Sequence, residues 1–378
     1  MGTVLAMFNG VVWLYVMWRF VRPLPLARVP KAIVAIALLL AAEYRWIVDM
    51  TVGGIPSQVL PRDALIVLAW AYGAFLLLAL LLIVRELVGL LTWLVRRSAG
   101  RRILTFGKPL FGIGLLALAL SAWGTWQGVK VPAVKTVDVH LAGLPPAFDG
   151  YRIVQLTDLH ATRLLPASWI ADVVAKSNAL RPDLIVVTGD LQDGMPSARR
   201  ADVLPLSRLH APDGVLMVPG NHEYYSDYRG WMGTFRQLGL HELLNAHVLI
   251  HHDGATLAVA GLTDRAALRF GLPAPDLQAA LEGIPPDVPV MVLSHRPGSA
   301  RTIAKAGALL ELAGHTHGGQ ILGPSLLTKW ANNGFVSGLY RIGAMRLYVS
   351  NGTGIWAGLP LRLGRPSEIT QIILHAAQ

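Results

Sequence analysis

The sequence predicts two parts of different class. An α-helical transmembrane region of about four spans covers residues 1–127, and an α/β domain built on stacked sheets covers residues 128–378. Three observations carry this. Four apolar stretches follow one another near the N-terminus. All 12 histidines lie beyond residue 127, whereas seven of the 11 tryptophans lie before it. From about residue 132 the apolar runs shorten to strand length, and nearly every one ends in side chains able to bind metal.

The apolar part comes first. The chain is 53% hydrophobic and 15% charged, against about 25% charged in an ordinary soluble domain. The stretches near 3–18, 32–48, 64–84 and 109–127 hold the excess. A hydrocarbon core takes roughly 20 residues of helix, with a range of about 17–25. The third and fourth stretches fit that length. The first two are shorter, and the second carries Glu43 and Arg45 near its end. Tryptophans such as Trp18, Trp46, Trp93 and Trp126 sit near span ends, where an amphipathic ring favours the interface. Buried core helices would also be apolar, but four in succession with little polar sequence between them favour the bilayer.

Charge sets the expected orientation. Residues 1–127 hold 12 Lys/Arg against 4 Asp/Glu, so +8 of the net +10 lies there. The first connection has Arg19, Arg22, Arg28 and Lys31 and no acid. The third has Arg85, Arg96, Arg97, Arg101, Arg102 and Lys108 against Glu86 alone. The second has only Arg62, with Asp49 and Asp63. Positive connections stay in the cytoplasm. The expectation is a multi-pass protein of the inner (cytoplasmic) membrane, with the domain after residue 127 on the extracytoplasmic side. The first stretch lacks a basic start and a small-residue cleavage site, so it reads as a retained span. Residues 85–108, with Leu87, Leu90, Leu91 and Leu94, read either as an interfacial helix on anionic lipid or as a plain helix extension. The rest of the chain is nearly neutral, which excludes nucleic acid as a partner. The absence of cysteine excludes disulfides and thiolate metal ligands.

In the second part, strands are predicted at 134–141, 152–156, 184–188, 215–218, 257–262, 290–293, 309–312 and 346–350, with helices at 167–179 and 275–281. In open α/β folds, ligands bind beyond the carboxyl ends of strands. Five polar clusters occupy such ends. Asp158 and His160 lie two apart, which on an extended segment turns both to one side. Asp190 follows Gly189 and has two oxygens with which to bridge two cations, while Asp193 is placed to orient a histidine. Asn221 offers an amide oxygen, and His222 beside it is a proton donor for a leaving oxygen. His295 stands in Ser-His-Arg-Pro. His315 and His317 form a second i, i+2 pair between glycines that admit a metal or a phosphate. One histidine after a strand is ordinarily a surface residue. Two Asp, one Asn and four His in this order can complete two four-coordinate shells if one carboxylate bridges.

The order D-x-H, G-D-x-x-D, G-N-H-E, a lone His and G-H-T-H resembles the signature of calcineurin-like metallophosphoesterases, densely over about residues 150–320 and loosely to about 370. The G-H-T-H-G-G-Q ending with the N-terminal spans is similar to the YkuE/YaeI-like membrane-anchored subgroup. The resemblance implies a four-layer αββα sandwich and a metal-dependent phosphoric ester hydrolase with two divalent metal ions. It implies that Asp158, His160, Asp190 and His317 hold one ion, and that Asp190, Asn221, His295 and His315 hold the other. His222 would be the acid or transition-state stabiliser. Glu223 stands where the family more often has Asp and is not expected to touch metal. Oxygen and imidazole donors suit Mn, Fe or Zn. Paired ions roughly 3.5–4 Å apart clamp a phosphoryl group and acidify water, so that hydroxide attacks phosphorus in line.

The expected substrate is a phosphodiester or a lipid-linked phosphoester, with membrane lipid as the neighbouring partner. The linker at 128–133 is short enough to keep the domain near the bilayer. Residues 322–340 carry Leu326, Leu327, Trp330, Phe335 and Tyr340, which either dip into lipid or pack under a loop. Arg265, Arg269, Arg296 and Arg341 are candidates for pairing with further phosphates. Two alternatives stand beside this reading. A UDP-diacylglucosamine-type lipid pyrophosphatase would use a cytoplasmic substrate, against the outward topology. A non-enzymatic membrane partner-binding module would not need its complete ligand set.

Overall fold

The computed structural model describes residues 2–52, 56–105 and 107–377. The chain divides into two compact units, Met1–Gln127 with Leu359–Leu361, and Gly128–Gly358 with Arg362–Gln378.

The first unit is helical. Helix α1 (Gly2–Val16) runs on as one π-helical turn (Met17–Val21). It is followed by α2 (Arg28–Val52), α3 (Pro56–Val59), α4 (Arg62–Val95), α5 (Arg97–Thr105) and α6 (Pro109–Val129). Among the described residues, three helices are long and apolar enough to cross a membrane: Thr3–Val21, Arg62–Val95 and Pro109–Val129. The second of the four expected spans forms α2, which has the length but carries Arg28, Lys31, Glu43, Arg45 and Asp49. Some of these polar groups turn toward neighbouring helices. The Arg45 guanidinium lies 5.3 Å from the Tyr72 ring centroid of α4. Asn9 of α1 donates to the Ala42 carbonyl of α2 at 2.8 Å, and Ser121 of α6 donates to the Trp70 carbonyl of α4 at 2.6 Å. Arg19 pairs with Glu86. Interhelical polar contacts of this kind bind spans that hydrophobicity alone would leave indifferent to one another.

The second unit is an α/β sandwich of two six-stranded sheets. Its strands are β1 (Ala133–Ala142), β2 (Arg152–Leu156), β3 (Leu184–Val187), β4 (Val215–Met217), β5 (His241–Glu242), β6 (Ala246–His252), β7 (Ala255–Gly261), β8 (Val290–Leu293), β9 (Leu310–Ala313), β10 (Gly338–Ile342), β11 (Met345–Val349) and β12 (Glu368–Ala377). One sheet has the order β1-β12-β2-β3-β4-β5 and the other β10-β11-β9-β8-β7-β6. Its longer helices are α7 (Ala167–Ala179), α8 (Pro196–Val203) and α10 (Tyr228–Gln237), with α9 (Asn221–Tyr225), α11 (Leu277–Leu281), α12 (Ala300–Lys305) and α13 (Ser325–Ala331) as short ones.

Strand alternation explains the core. Leu184 and Val186 of β3 and Leu216 of β4 meet Val259 of β7, Leu293 of β8 and Leu310 and Leu312 of β9 between the sheets. On the far face of the second sheet, Ala260, Val292 and Ala313 pack with Ala280 of α11 and Ile303 of α12. The central strands are therefore covered on both faces and read as continuous apolar runs. Eight strands lie where the sequence predicts them, to within two residues at each end. The prediction lacked β5, β6, β10 and β12. The last is central, parallel to β1 along its length and antiparallel to β2.

Strands β2, β3 and β4 are parallel in one sheet, as are β7, β8 and β9 in the other. Parallel pairing puts their carboxyl ends on a common edge. The five motif-bearing segments leave from those ends.

Candidate metal centre

The loops at the strand ends have an unusual backbone. Asp158 (φ 53°), His160 (φ 46°), Asp190 (φ 56°), His315 (φ 70°) and His317 (φ 49°) all lie in the left-handed region. Non-glycine residues seldom occupy it, and each such placement costs on the order of 1–3 kcal/mol. Strain gathered at five residues of one site marks a functional constraint. This left-handed backbone, and not strand alternation, brings the i, i+2 pairs together. β2 stops at Leu156, so Asp158 and His160 converge through left-handed turns and not through strand alternation. Two glycines let these loops meet. A Cβ on Gly220 would strike the Asp190 carboxylate, and one on Gly314 would strike the Asp158 carboxylate and the Thr157 hydroxyl.

The seven candidate ligands singled out in the sequence come together in two groups. In the first, Asp158 Oδ1 lies 3.3 Å from His317 Nε2 and 4.0 Å from His160 Nε2. The two imidazoles approach to 3.0 Å through their Nε2 atoms. In the second, His295 Nε2 lies 3.2 Å from Asp190 Oδ2, 3.2 Å from Asn221 Oδ1 and 3.1 Å from His315 Nδ1. Asp190 joins them. Its Oδ1 accepts the backbone N–H of His222 at 2.8 Å. Its Oδ2 faces both groups, 3.9 Å from His160 Nε2 and 3.2 Å from His295 Nε2.

These contacts fit a pair of divalent cations. Asp158 Oδ1 is buried with no hydrogen-bond partner, a costly state for a carboxylate oxygen. Each group brings three or more lone-pair donors within reach of one point. Carboxylate, amide and imidazole donors suit Mn, Fe or Zn.

Electrostatics prepares the imidazoles. Burial, then the neighbouring His295 and Arg296, hold His315 well below the usual histidine value. Burial, then His160 and Arg362, do the same for His317. Both are therefore neutral at pH 7. His295 differs: burial pulls it down, but the Asp190 carboxylate overcomes this and pushes it up to about 9. At pH 7 it carries a proton that a cation must displace. Metal titration in weak buffer at pH 7 is therefore expected to release protons. Apparent affinity should rise about ten-fold per pH unit for each displaced proton, up to about pH 9. Isothermal titration in buffers of different ionisation enthalpy checks this, and a pH-independent affinity would contradict it.

His222 stands beside the cation groups. Its Nδ1 pairs with Asp193, and its Nε2 lies 3.9 Å from Asp190 Oδ2. Burial lowers its proton affinity, but Asp193 and Asp190 more than reverse this and push it up to about 10. The same Asp193 oxygen lies 3.0 Å from His160 Nδ1, so one carboxylate orients two rings.

Glu223 has a structural role that its place in the motif did not reveal. Its buried carboxylate accepts the N–H groups of Asp190 at 3.0 Å, Leu191 at 2.8 Å and Gly220 at 2.7 Å. It thus clamps the Asp190 loop to the Asn221 loop. Glu223→Ala orphans three buried donors at roughly 1–3 kcal/mol each. The variant is expected to lose about 3 kcal/mol or more of stability together with bound metal, which denaturant unfolding and metal analysis would register.

Arg296 is the one of the four arginines considered that reaches the ligands. Its guanidinium donates to Asp264 Oδ2 at 2.7 Å and to Asn221 Oδ1 at 2.7 Å, and lies 2.8 Å from His315 Nε2. Arg265 and Arg269 are exposed on a 3-10 turn, and Arg341 donates to the Gly343 carbonyl. Arg362 was not anticipated. It is fully buried and donates to the carbonyls of His317 at 2.8 Å and Gly354 at 2.7 Å, fixing the His317 turn.

A two-sheet sandwich with buried Asp, Asn and His side chains converging at its strand ends defines the class, that of metal-dependent phosphoesterases. The model of the calcineurin-like phosphoesterase family matches residues 151–319. The chain is 36% identical over 304 residues to the transmembrane protein with metallophosphoesterase domain of Bos taurus, covering 76% of this chain and 68% of that protein. It is 32% identical over 288 residues to the metallophosphoesterase YkuE of Bacillus subtilis, covering 72% and 96%. It is 26% identical over 316 residues to the UDP-2,3-diacylglucosamine pyrophosphatase LpxG of Chlamydia trachomatis, covering 68% and 93%. The chain belongs to the calcineurin-like metallophosphoesterases and to their YkuE-like subgroup. Its apolar helices and its transmembrane relative make it a membrane-associated phosphoesterase.

Proposed function

We propose that this chain is a dinuclear-metal phosphoesterase of the inner membrane that hydrolyses phosphodiester or lipid-linked phosphoester substrates. Residues 1–127 are its multi-pass anchor, and residues 128–378 its hydrolase domain, a four-layer αββα sandwich. The observation that carries the reading is the shared oxygen, Asp190 Oδ2, between two groups of buried ligands. In this reading Asp158, His160, Asp190 and His317 hold one divalent ion, and Asp190, Asn221, His295 and His315 the other.

When bound, the ions supply the positive charge that clamps the phosphoryl group and the acidified water that attacks it. The protein supplies the rest. His222, protonated and held by Asp193, donates its Nε2 proton to the leaving oxygen. Arg296, anchored on Asp264, presents a fixed cation to a phosphoryl oxygen beside the second group. Glu223 and Arg362 keep the loops in place.

Positive-inside charge supports four crossings. The basic connections at 19–31 and 96–108 lie on the same side only if the chain crosses twice between them, by α2 and α4. The 25 residues of α2 make roughly 37 Å of helix, enough for one crossing. The hydrolase domain would then be extracytoplasmic. The likeness to LpxG favours a second reading, a lipid-linked pyrophosphate as substrate; for a cytoplasmic nucleotide lipid it requires the opposite topology. A C-terminal reporter active outside the membrane would eliminate it in that form.

The test is hydrolysis by the purified full chain loaded with Mn²⁺. Bis-p-nitrophenyl phosphate, p-nitrophenyl phosphate and envelope phospholipids serve as substrates. Metal-dependent release from at least one is expected. Inactivity on all three would overturn the proposal in favour of a non-enzymatic module.

A further inference from the structure

Helix α13 has its polarity reversed for a surface helix. It buries Ser325 and exposes Leu326, Leu327 and Trp330 by 69%, 73% and 84%. Leu322, just before it, is 64% exposed. Positions 326, 327 and 330 fall within about 100° of helix rotation and so form one face. Ser325 and Thr328 lie against Gly319 instead, where an added Cβ would meet both. A contiguous apolar face turned outward marks an interaction site.

What covers it follows from its charge and its chain. From Ala313 to Ser367 there is no Asp or Glu, while five Lys/Arg occur, of which Arg362 is buried and Lys329 and Arg341 are exposed. Leucine and tryptophan on an exposed face, in a basic segment free of acid, form the composition of a helix that lies in a lipid interface. Anionic headgroups complement it. The same chain carries helices able to cross a bilayer, so a lipid surface is always at hand. The helix is also next to the chemistry, since Gly319, against which it packs, closes the turn that begins at His317.

We propose that α13, with Leu322, seats in the interfacial layer of an anionic bilayer. Its contact with the His317 turn holds the metal centre at headgroup depth, so the substrate is a phosphoester carried on a lipid. This rests on the phosphoesterase reading above.

The absence of cysteine makes a single label clean. Full-length Leu327→Cys, carrying an environment-sensitive fluorophore, is reconstituted in phosphatidylglycerol nanodiscs containing spin-labelled acyl chains. Emission should shift to the blue and be quenched roughly two-fold or more relative to the same label at Asp253→Cys in the exposed β6–β7 turn. Adding Leu326→Ser and Trp330→Ser should remove most of that quenching while bis-p-nitrophenyl phosphate hydrolysis stays unchanged. A label that remains accessible to aqueous iodide overturns the proposal. So does a label shielded from iodide yet untouched by the acyl-chain quencher, the result expected of a protein partner. Failure of the unsubstituted, metal-loaded chain on the soluble diester, the soluble monoester and phospholipids alike would refute the phosphoesterase reading, while the quenching result still decides whether α13 enters lipid.

Discussion

Asp190→Asn is expected to lose bound metal and to lower kcat/KM by about 10³-fold or more, with the chain still inserted and folded. In the proposed mechanism, paired cations would contribute several kcal/mol of transition-state stabilisation, and each 1.4 kcal/mol is ten-fold in rate. Both groups of ligands depend on Asp190 Oδ2. The amide retains an oxygen of the same size, so the backbone bond from His222 to Oδ1 can survive. The missing element is the negative charge shared by two cations. Metal analysis and kinetics on purified protein check this, and a variant with full activity would mean that another group forms the bridge.

His222→Asn is expected to lower kcat by about 10²- to 10⁴-fold, the range of a positioned proton donor, with metal content unchanged. Its side chain belongs to neither group of ligands, and its ring is held by Asp193. The loss should be larger for an alkyl leaving group than for p-nitrophenolate, which needs little help from an acid. The pH profile adds a second readout. His222 has its proton affinity raised to about 10, so the donor form prevails at neutral pH and is lost as pH rises through that value. Bound cations repel the proton and move that limb below 10. The variant should lack the limb. Equal losses for both leaving groups, or loss of metal, would give His222 a different role.

More of the candidate site than of the fold was legible in the sequence. All seven ligand candidates meet in two adjoining groups, with His222 beside them, because each follows a short apolar run and parallel strands bring their ends to one edge. Residues that act through the backbone were invisible. Glu223 reads as an incidental neighbour of His222 until its three N–H contacts are seen. Arg362 lies in a tail with no motif, and its importance comes from being buried against the His317 turn. Among the strands, β12 escaped because Thr370 and Gln371 interrupt its apolar pattern, and its burial depends on lying between β1 and β2. α2 was expected as the second span and forms as a helix, but it is not among the three described helices apolar enough to cross a membrane. Its apolar stretch is plain, but Arg28, Lys31, Glu43, Arg45 and Asp49 lower its hydropathy, and of these Arg45 lies against Tyr72 of α4.

The proposed chemistry rests on two cations sharing Asp190. A crystal of the Mn²⁺-loaded protein, measured for anomalous scattering at the manganese edge, addresses this without reference to substrate. Two peaks are expected, about 3.5–4 Å apart, one among Asp158, His160 and His317 and the other among Asn221, His295 and His315, with Asp190 between them. A single peak, or peaks away from these side chains, would contradict it.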